Sequence, residues 1–231
     1  MNLADLRANY QRGQLDRAGL ATEPMAQFER WFAAAAGGGR WRRIGIAVYK
    51  LWQALLGRPP TDVNAMVLAT VGPEGRPSMR NVLLKGVDAR GFIFYTNYDS
   101  RKGRELAENP RAALTFYWPD WERQICVAGA VARLPEGESD AYHARRPRDS
   151  QLSAWASRQS EVVPDRAALE RLWREVAAKF PHAVPRPPNW GGYVLQPDRM
   201  EFWQGRPGRF HDRFRYARQP DGSWEIERLA P

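Results

Sequence analysis

Arg209-Phe210-His211-Asp212-Arg213 puts two guanidiniums, an imidazole and a carboxylate into five positions. Unpaired charge is costly to bury, so such a run makes sense where a chain lines a site for an anion. On an alternating strand, residues 209, 211 and 213 would share one face and residues 210 and 212 the other. The spacing therefore predicts an anion-binding surface whose histidine is mostly neutral near pH 7. Two further runs follow the same logic. Arg80 and Lys85 flank Val82-Leu83-Leu84. Alternation puts these two cations on opposite faces, so they reach one ligand only if the strand bulges, ends or twists between them. Charged strand ends flanking Val82-Leu83-Leu84 are the plainer reading of these two residues taken in isolation. Ser100-Arg101-Lys102 stands where a strand gives way to a helix, and free N–H groups and the helix dipole favour an anion there. A well-capped surface helix is the plain alternative.

Tyr142, Arg145, Arg146, Arg148 and Ser150 gather around Pro147. They suit either a dipole-complementing helix end or a loop that aims a guanidinium and a hydroxyl at a phosphate. Trp203 reads as a stacking ring or, in a chain with ten tryptophans, as core. Together these clusters point to a phosphorylated small molecule. No serine–histidine–acid set, paired carboxylates, Walker loop or GxGxxG is present.

The elements that must position these residues follow from periodicity. A helix is predicted over 24–36, with Thr22 as cap, Pro24 in its first turn, and Met25, Phe28 and Phe32 on one stripe. Gly37-Gly38-Gly39 leads to Arg40-Trp41-Arg42-Arg43 and an amphipathic helix carrying Ile44, Val48, Leu51 and Leu55. Short strands are expected over 65–71, 79–85, 92–97, 112–118 and 122–134, with a helix over 100–108. Helices at 136–145, 150–157 and 165–180 come next, the last with Leu169, Leu172, Val176 and Phe180 on one face. Strands return at 192–195, 199–203, 209–216 and 223–229. This pattern argues for an α+β chain, an antiparallel, Greek-key-like β-barrel with peripheral helices. Residues 1–60 are read as an amino-terminal segment and helix followed by a basic amphipathic helix over 37–60; the resemblance given below makes the first a lid and the last an atypical insertion. Residues 61–231 form the barrel domain.

Composition narrows the function. The 231 residues are 43% hydrophobic and 26% charged, ordinary for a globular protein. A formal charge of +9 invites a nucleic-acid partner, but only four of the 35 basic residues are lysines, and the arginines are scattered. Anion pockets explain the charge as well, and no nucleic-acid partner is expected. Cys126 stands alone, and His143, His182 and His211 have no metal-ligand spacing, so no metal is expected. The amino terminus lacks the apolar core of a signal peptide, and no stretch reaches the roughly 18 apolar residues of a membrane span. The chain reads as a reduced, cytoplasmic protein.

These runs, in order, resemble the pyridoxamine 5′-phosphate oxidase family. The resemblance is carried by residues 80–85, Phe94-Tyr95-Thr96-Asn97, Ser100-Arg101-Lys102, Glu122-Arg123-Gln124, Arg146-Pro147-Arg148-Asp149-Ser150-Gln151, Gln159-Ser160, Trp190-Gly191-Gly192, residues 201–205, residues 209–213 and the terminal Arg228-Leu229-Ala230-Pro231. It implies an FMN-binding split β-barrel and a homodimer with FMN at the subunit interface. FMN would be held by Arg80, Val82, Leu83, Lys85, Tyr95, Thr96, Ser100, Arg101, Lys102, Gln124, Gln159, Ser160, Trp203 and Arg213. Lys85, Tyr142, Arg146 and Ser150 would grip the substrate phosphate. Arg209 and His211 would lie over the pyridine ring as the catalytic pair, and Arg7 and Tyr10 would close the site. The implied reaction oxidises pyridoxine or pyridoxamine 5′-phosphate to pyridoxal 5′-phosphate and reduces O₂ to hydrogen peroxide. The alternatives are a flavin oxidase of another pathway, such as phenazine biosynthesis, and a flavin- or pyridoxal-phosphate-binding protein without turnover. Segment 37–60 has no counterpart in the resemblance. It suits an inserted helix packed on its own subunit or dimer mate, or a basic face for a membrane or acidic partner.

Overall fold

A computed structural model describes residues 9–37 and 62–231. Arg7, Thr61 and the basic helix expected within 37–60 lie outside the described residues, apart from Gly37. Among the described residues, nine strands form one sheet: β1 Ala65–Val71, β2 Pro77–Leu83, β3 Gly86–Asp88, β4 Gly91–Asn97, β5 Arg111–Trp118, β6 Arg123–Arg133, β7 Trp190–Gln204, β8 Asp212–Arg218 and β9 Trp224–Leu229. Their order is β2-β1-β5-β6-β7-β4-β3, with β8 paired to β7 and β9 to β8. Five helices occur among the described residues: α1 Pro24–Ala35, α2 Arg101–Glu108, α3 Glu136–Ala144, α4 Arg148–Ala156 and α5 Arg166–Lys179. None is long and apolar enough to cross a membrane. The chain divides into two compact units, one of Met1–Val67, Leu114–Ala128 and Pro197–Pro231, the other of Leu68–Ala113 and Gly129–Gln196.

The second unit is organised around β4. Its Gly91–Asn97 run is buried at every position but Tyr95, as expected of a strand covered on both faces. It pairs antiparallel with β3 and with the first half of β7, Tyr95 opposite Gly192. Phe92, Phe94, Tyr193 and Leu195 fill the core, with Phe94 and Tyr193 stacked at 5.6 Å. Chain direction then reverses into α2. Ser100 caps this helix, its Oγ accepting from the Gly103 N–H. Gly103 has to be glycine, because a Cβ there would stand 2.0 Å from the Tyr98 carbonyl oxygen. The apolar stripe expected on α5 is only partly covered: Ala168 is its buried residue, Leu169 remains 37% exposed, and Phe180 packs on Trp155 at 5.1 Å.

In the first unit, α1 buries Phe28 and Trp31, which meet Phe116 at 5.2 Å and Phe202 at 5.3 Å. Thr22 does not cap α1. The cap position is Glu23, without a side-chain bond, and Pro24 at the first helical position has its φ preset for the helix and no N–H to satisfy.

Two strand assignments need correction. The expected strands at 192–195 and 199–203 are one strand, β7. Gln196-Pro197-Asp198 resembles a turn, but the strand changes partner there. Residues through Leu195 pair with β4 and residues from Arg199 pair with β8, so Pro197 falls where neither of these two ladders needs its N–H. The strand expected from Arg209 starts only at Asp212. Pro207–Arg209 form a 3₁₀ turn in which Gly208 (φ 64°) and Arg209 (φ 62°) are left-handed. The alternation that would have put Arg209, His211 and Arg213 on one face therefore does not apply.

Candidate functional site

β2, β4, α2 and the α3–α4 junction of the second unit surround a cavity of about 930 Å³. Of the expected site residues, Arg80, Val82, Leu83, Lys85, Tyr95, Thr96, Arg101, Lys102, Tyr142, Arg146, Ser150, Gln159 and Ser160 line it. The parity problem of Arg80 and Lys85 is resolved because β2 ends at Leu83, before Lys85. Ser100 does not reach the cavity wall. It is fully buried, donating to the Asn97 carbonyl at 2.7 Å and accepting from Lys102 Nζ at 3.1 Å.

Lys102 is 7% exposed, and its Nζ also donates to Thr96 Oγ1 (3.0 Å) and Gln159 Oε1 (2.6 Å). Burial, reinforced by the nearby Arg80 charge, pulls its pKa down to about 8. Arg80 donates to Thr70 Oγ1 (2.5 Å), the Leu68 carbonyl (3.3 Å) and Ser78 Oγ. Desolvation lowers its pKa too.

Sequence reasoning missed the group that lets these cations converge. Glu105 is buried, accepts from Thr70 Oγ1 (2.5 Å) and Ser78 Oγ (2.6 Å), and pairs with Arg80 Nη2 (3.4 Å) and Arg101 Nε (2.8 Å). Desolvation pushes this carboxyl up, but the bonds from Ser78, Thr70 and Arg101 outweigh it and bring the pKa to about 2. The available signal was spacing alone: Glu105 stands one helical turn beyond Arg101.

Across the cavity, Tyr95 and Tyr142 stack at 3.8 Å and 16°. Arg146 lies over the Trp190 ring, its guanidinium carbon 4.5 Å from the centroid. Arg146 Nη1 is buried and has no hydrogen-bond partner. A buried cationic donor left open beside a cavity is the feature an anionic ligand would complete.

The remaining expected residues belong to the first unit. Tyr10, Trp203 and His211 form a ring cluster, with centroids 5.5 Å (Tyr10–Trp203), 5.6 Å (Tyr10–His211) and 4.7 Å (Trp203–His211) apart. Gly205 leaves room for Tyr10, since a Cβ there would come within 2.7 Å of Tyr10 Cγ. His211 Nδ1 accepts from the Arg206 N–H at 3.1 Å, so a neutral imidazole carries its proton on Nε2. Desolvation, with the Arg209 charge adding, keeps His211 below the usual histidine pKa. Arg209 is exposed on its left-handed turn. Arg213 does not stand as a free cation beside it: its Nε donates to Glu201 (2.8 Å) and its Nη1 to the Ala230 carbonyl (2.8 Å). Gln124 Nε2 lies 3.4 Å from Cys126 Sγ. Glu122 and Asp212 hold the amino-terminal strap through the N–H groups of Gln11, Arg12 and Leu15, a role not foreseen for either. The three non-glycine residues with positive φ among those described are Glu122, Ser160 and Arg209, all within expected site segments. No metal-binding cluster occurs among the described residues.

Two family profiles match the chain. One, described as pyridoxamine 5′-phosphate oxidase, covers residues 58–180; the other, a pyridoxine 5′-phosphate oxidase C-terminal dimerisation region, covers 190–231. A "Pyridoxine/pyridoxamine 5′-phosphate oxidase 1" from Ralstonia nicotianae is 53% identical over 230 residues, spanning 100% of this chain and 99% of its own. The chain belongs to the pyridoxamine 5′-phosphate oxidase family. Membership makes it an oxidoreductase of the flavoprotein kind whose carboxyl-terminal part matches a dimerisation region. A Burkholderia lata family member, a pyridoxine/pyridoxamine 5′-phosphate oxidase, is 50% identical over 231 residues, 99% of each chain. Among solved structures, PhzG from Burkholderia lata 383, in complex with tetrahydrophenazine-1-carboxylic acid, is 34% identical with TM-score 0.78 over 93% of this chain and 95% of its own. A pyridoxamine 5′-phosphate oxidase-related, FMN-binding protein from Nostoc punctiforme (21% identical, TM-score 0.61, covering 84% of this chain and 98% of its own) shares the fold, the family's split barrel.

Proposed function

We propose that the chain is an FMN-dependent oxidase converting pyridoxine 5′-phosphate and pyridoxamine 5′-phosphate to pyridoxal 5′-phosphate, with O₂ reduced to hydrogen peroxide. The observation that carries this reading is one cavity lined by two kinds of cationic group. Arg80 and Arg101 pair with Glu105, with buried Lys102 beside them, whereas Arg146 keeps a buried Nη1 unpartnered, and Lys85 lines the same cavity. Two phosphates, one on FMN and one on the substrate, call for two such groups, and the residues present fit FMN in this respect.

Arg80, Arg101 and Lys102 hold the FMN phosphate, with Thr96, Gln159 and Ser160 supplying further polar groups. Val82, Leu83 and Tyr95 line the flavin's path, and Ser100 acts from behind by fixing Lys102. Gln124, Trp203 and Arg213 complete the flavin site at the dimer interface that the family resemblance implies. The FMN these residues would hold would supply the two-electron redox chemistry between the 4′ carbon and O₂. Lys85, Tyr142, Arg146 and Ser150 bind the substrate phosphate and so set the position of its ring. Arg209 orients the substrate and assists loss of the proton from its 4′ hydroxyl or amine, the C4′ hydrogen being the one that leaves as hydride. His211, neutral with its proton on Nε2, offers that N–H to the substrate ring. Arg7 and Tyr10 close the site and exclude water.

Identity favours this substrate over a phenazine precursor: the chain is 50% identical to the Burkholderia lata oxidase and 34% identical to PhzG. The test is pyridoxal phosphate formation with oxygen uptake when pyridoxine 5′-phosphate meets the FMN-loaded protein. Tetrahydrophenazine-1-carboxylic acid serves as the competing substrate. Turnover of the phenazine acid alone would overturn the assignment, and bound FMN without oxygen uptake on either would leave a flavin carrier.

A further inference from the structure

Trp190, the first residue of β7, is buried and held by its own backbone: its N–H donates to the Pro187 carbonyl (3.1 Å), and its carbonyl accepts from Arg186 Nη1 (2.7 Å). Tyr95 and Tyr142 lie nearly parallel to its indole, 14° and 6° from its plane at centroid distances of 5.5 and 6.2 Å. His143 meets the ring edge-on at 5.4 Å. Arg146 stands over the ring and has no ion pair among the described residues.

A desolvated guanidinium needs compensation, and here the negative ring face supplies it. The contrast with Arg101 is chemical. Glu105 holds Arg101 by consuming an N–H donor, and a carboxylate repels an incoming phosphate. An aromatic face attracts the charge without using an in-plane donor, so both terminal nitrogens remain available. We propose that Trp190 is the positioning residue for the substrate-phosphate end of the cavity: its ring face replaces a counter-ion for Arg146 and keeps Nη1 open for a phosphate, while backing the Tyr95–Tyr142 pair. This rests on the phosphate-binding role proposed above for Arg146.

Calorimetric titration of the FMN-loaded protein with pyridoxal 5′-phosphate, and separately with pyridoxal, tests the role without relying on turnover. Trp190→Leu keeps an apolar filler but removes the ring. It is expected to weaken pyridoxal 5′-phosphate binding by about tenfold, to leave pyridoxal unchanged, and to leave FMN retained. Trp190→Phe restores most of the affinity. In an Arg146→Met background, the Trp190→Leu loss shrinks to less than about twofold, because the ring acts through that guanidinium. Equal weakening of both ligands in folded Trp190→Leu protein would overturn the proposal, as would the full loss persisting without Arg146. Should Trp190→Leu not fold, Trp190→Phe decides by the same criteria, with an expected loss of about threefold that must vanish in the Arg146→Met background. Failure of the underlying reading looks different: the parent protein itself would bind pyridoxal as well as its phosphate.

Discussion

The cavity of the second unit and the ring cluster of the first meet their charges with different materials. In the cavity, Arg80, Arg101 and Lys102 are fixed on a strand and at a helix start, bonded to hydroxyls, carbonyls and a buried carboxylate. In the ring cluster, Tyr10 meets Trp203 and His211 edge to face, Trp203 and His211 are tilted against each other, and Arg209 stands exposed on a left-handed turn with no such framework. A permanent anion is best served by cations that pay their desolvation in advance. A group that must act on a passing ring gains from a turn that can adjust, and the backbone strain at Arg209 is of the kind stored at such places. The proposed division of labour follows: the cavity binds, and the turn acts.

The largest expected effect tests that division directly. Arg209→Ala should cut pyridoxal phosphate formation on the order of a hundredfold or more while FMN absorbance of the purified protein is unchanged. Normal turnover would remove Arg209 from the reaction, and loss of flavin would erase the distinction between the two regions. Arg101→Ala should do the converse, weakening FMN by about tenfold to a hundredfold in a fluorescence titration, since a hydrogen bond to a charged group is worth about 1.5–3 kcal/mol. Unchanged affinity would mean that the phosphate lies elsewhere.

A smaller effect comes from pH. Lys102 titrates near 8 in the ligand-free protein, below its usual range, so it loses its charge as pH rises through that value. FMN affinity should therefore fall about tenfold between pH 7 and pH 9, and a Lys102→Met variant should show a flat profile over that window. A parent profile already flat would show that Lys102 does not meet the phosphate as a cation. The smallest effect concerns Glu105. Its folded pKa near 2 lies below the ordinary value of 4.5, so its contribution to stability is complete above about pH 4.5 and is lost as pH falls toward 2. Acid unfolding of Glu105→Gln should be less steep across that range than that of the parent. Identical curves would show that the carboxylate does not organise the cations.

Much of this was legible in the chain itself. The strand 65–71 and the helix capped by Ser100 occur where apolar alternation, capping hydroxyls and turn residues put them. Arg80, Tyr95, Lys102, Tyr142 and Arg146 were named as site residues, and one cavity gathers them. Local chemistry suffices for such readings because capping and alternation are decided within a few residues.

What lay beyond the sequence was decided over long separations. That β7 runs on through Pro197 depends on its exchange of partners from β4 to β8. That Arg209 falls on a turn, out of step with His211 and Arg213, depends on where β8 begins its pairing. Glu105 reads as an exposed helical acid until Thr70 and Ser78, on other strands, close over it. Sequence determined which cations and aromatic rings stand as candidates for the site. Tertiary structure decided which of them are held by a carboxylate, which by an indole and which are left open, because those pairings join residues that only folding makes neighbours.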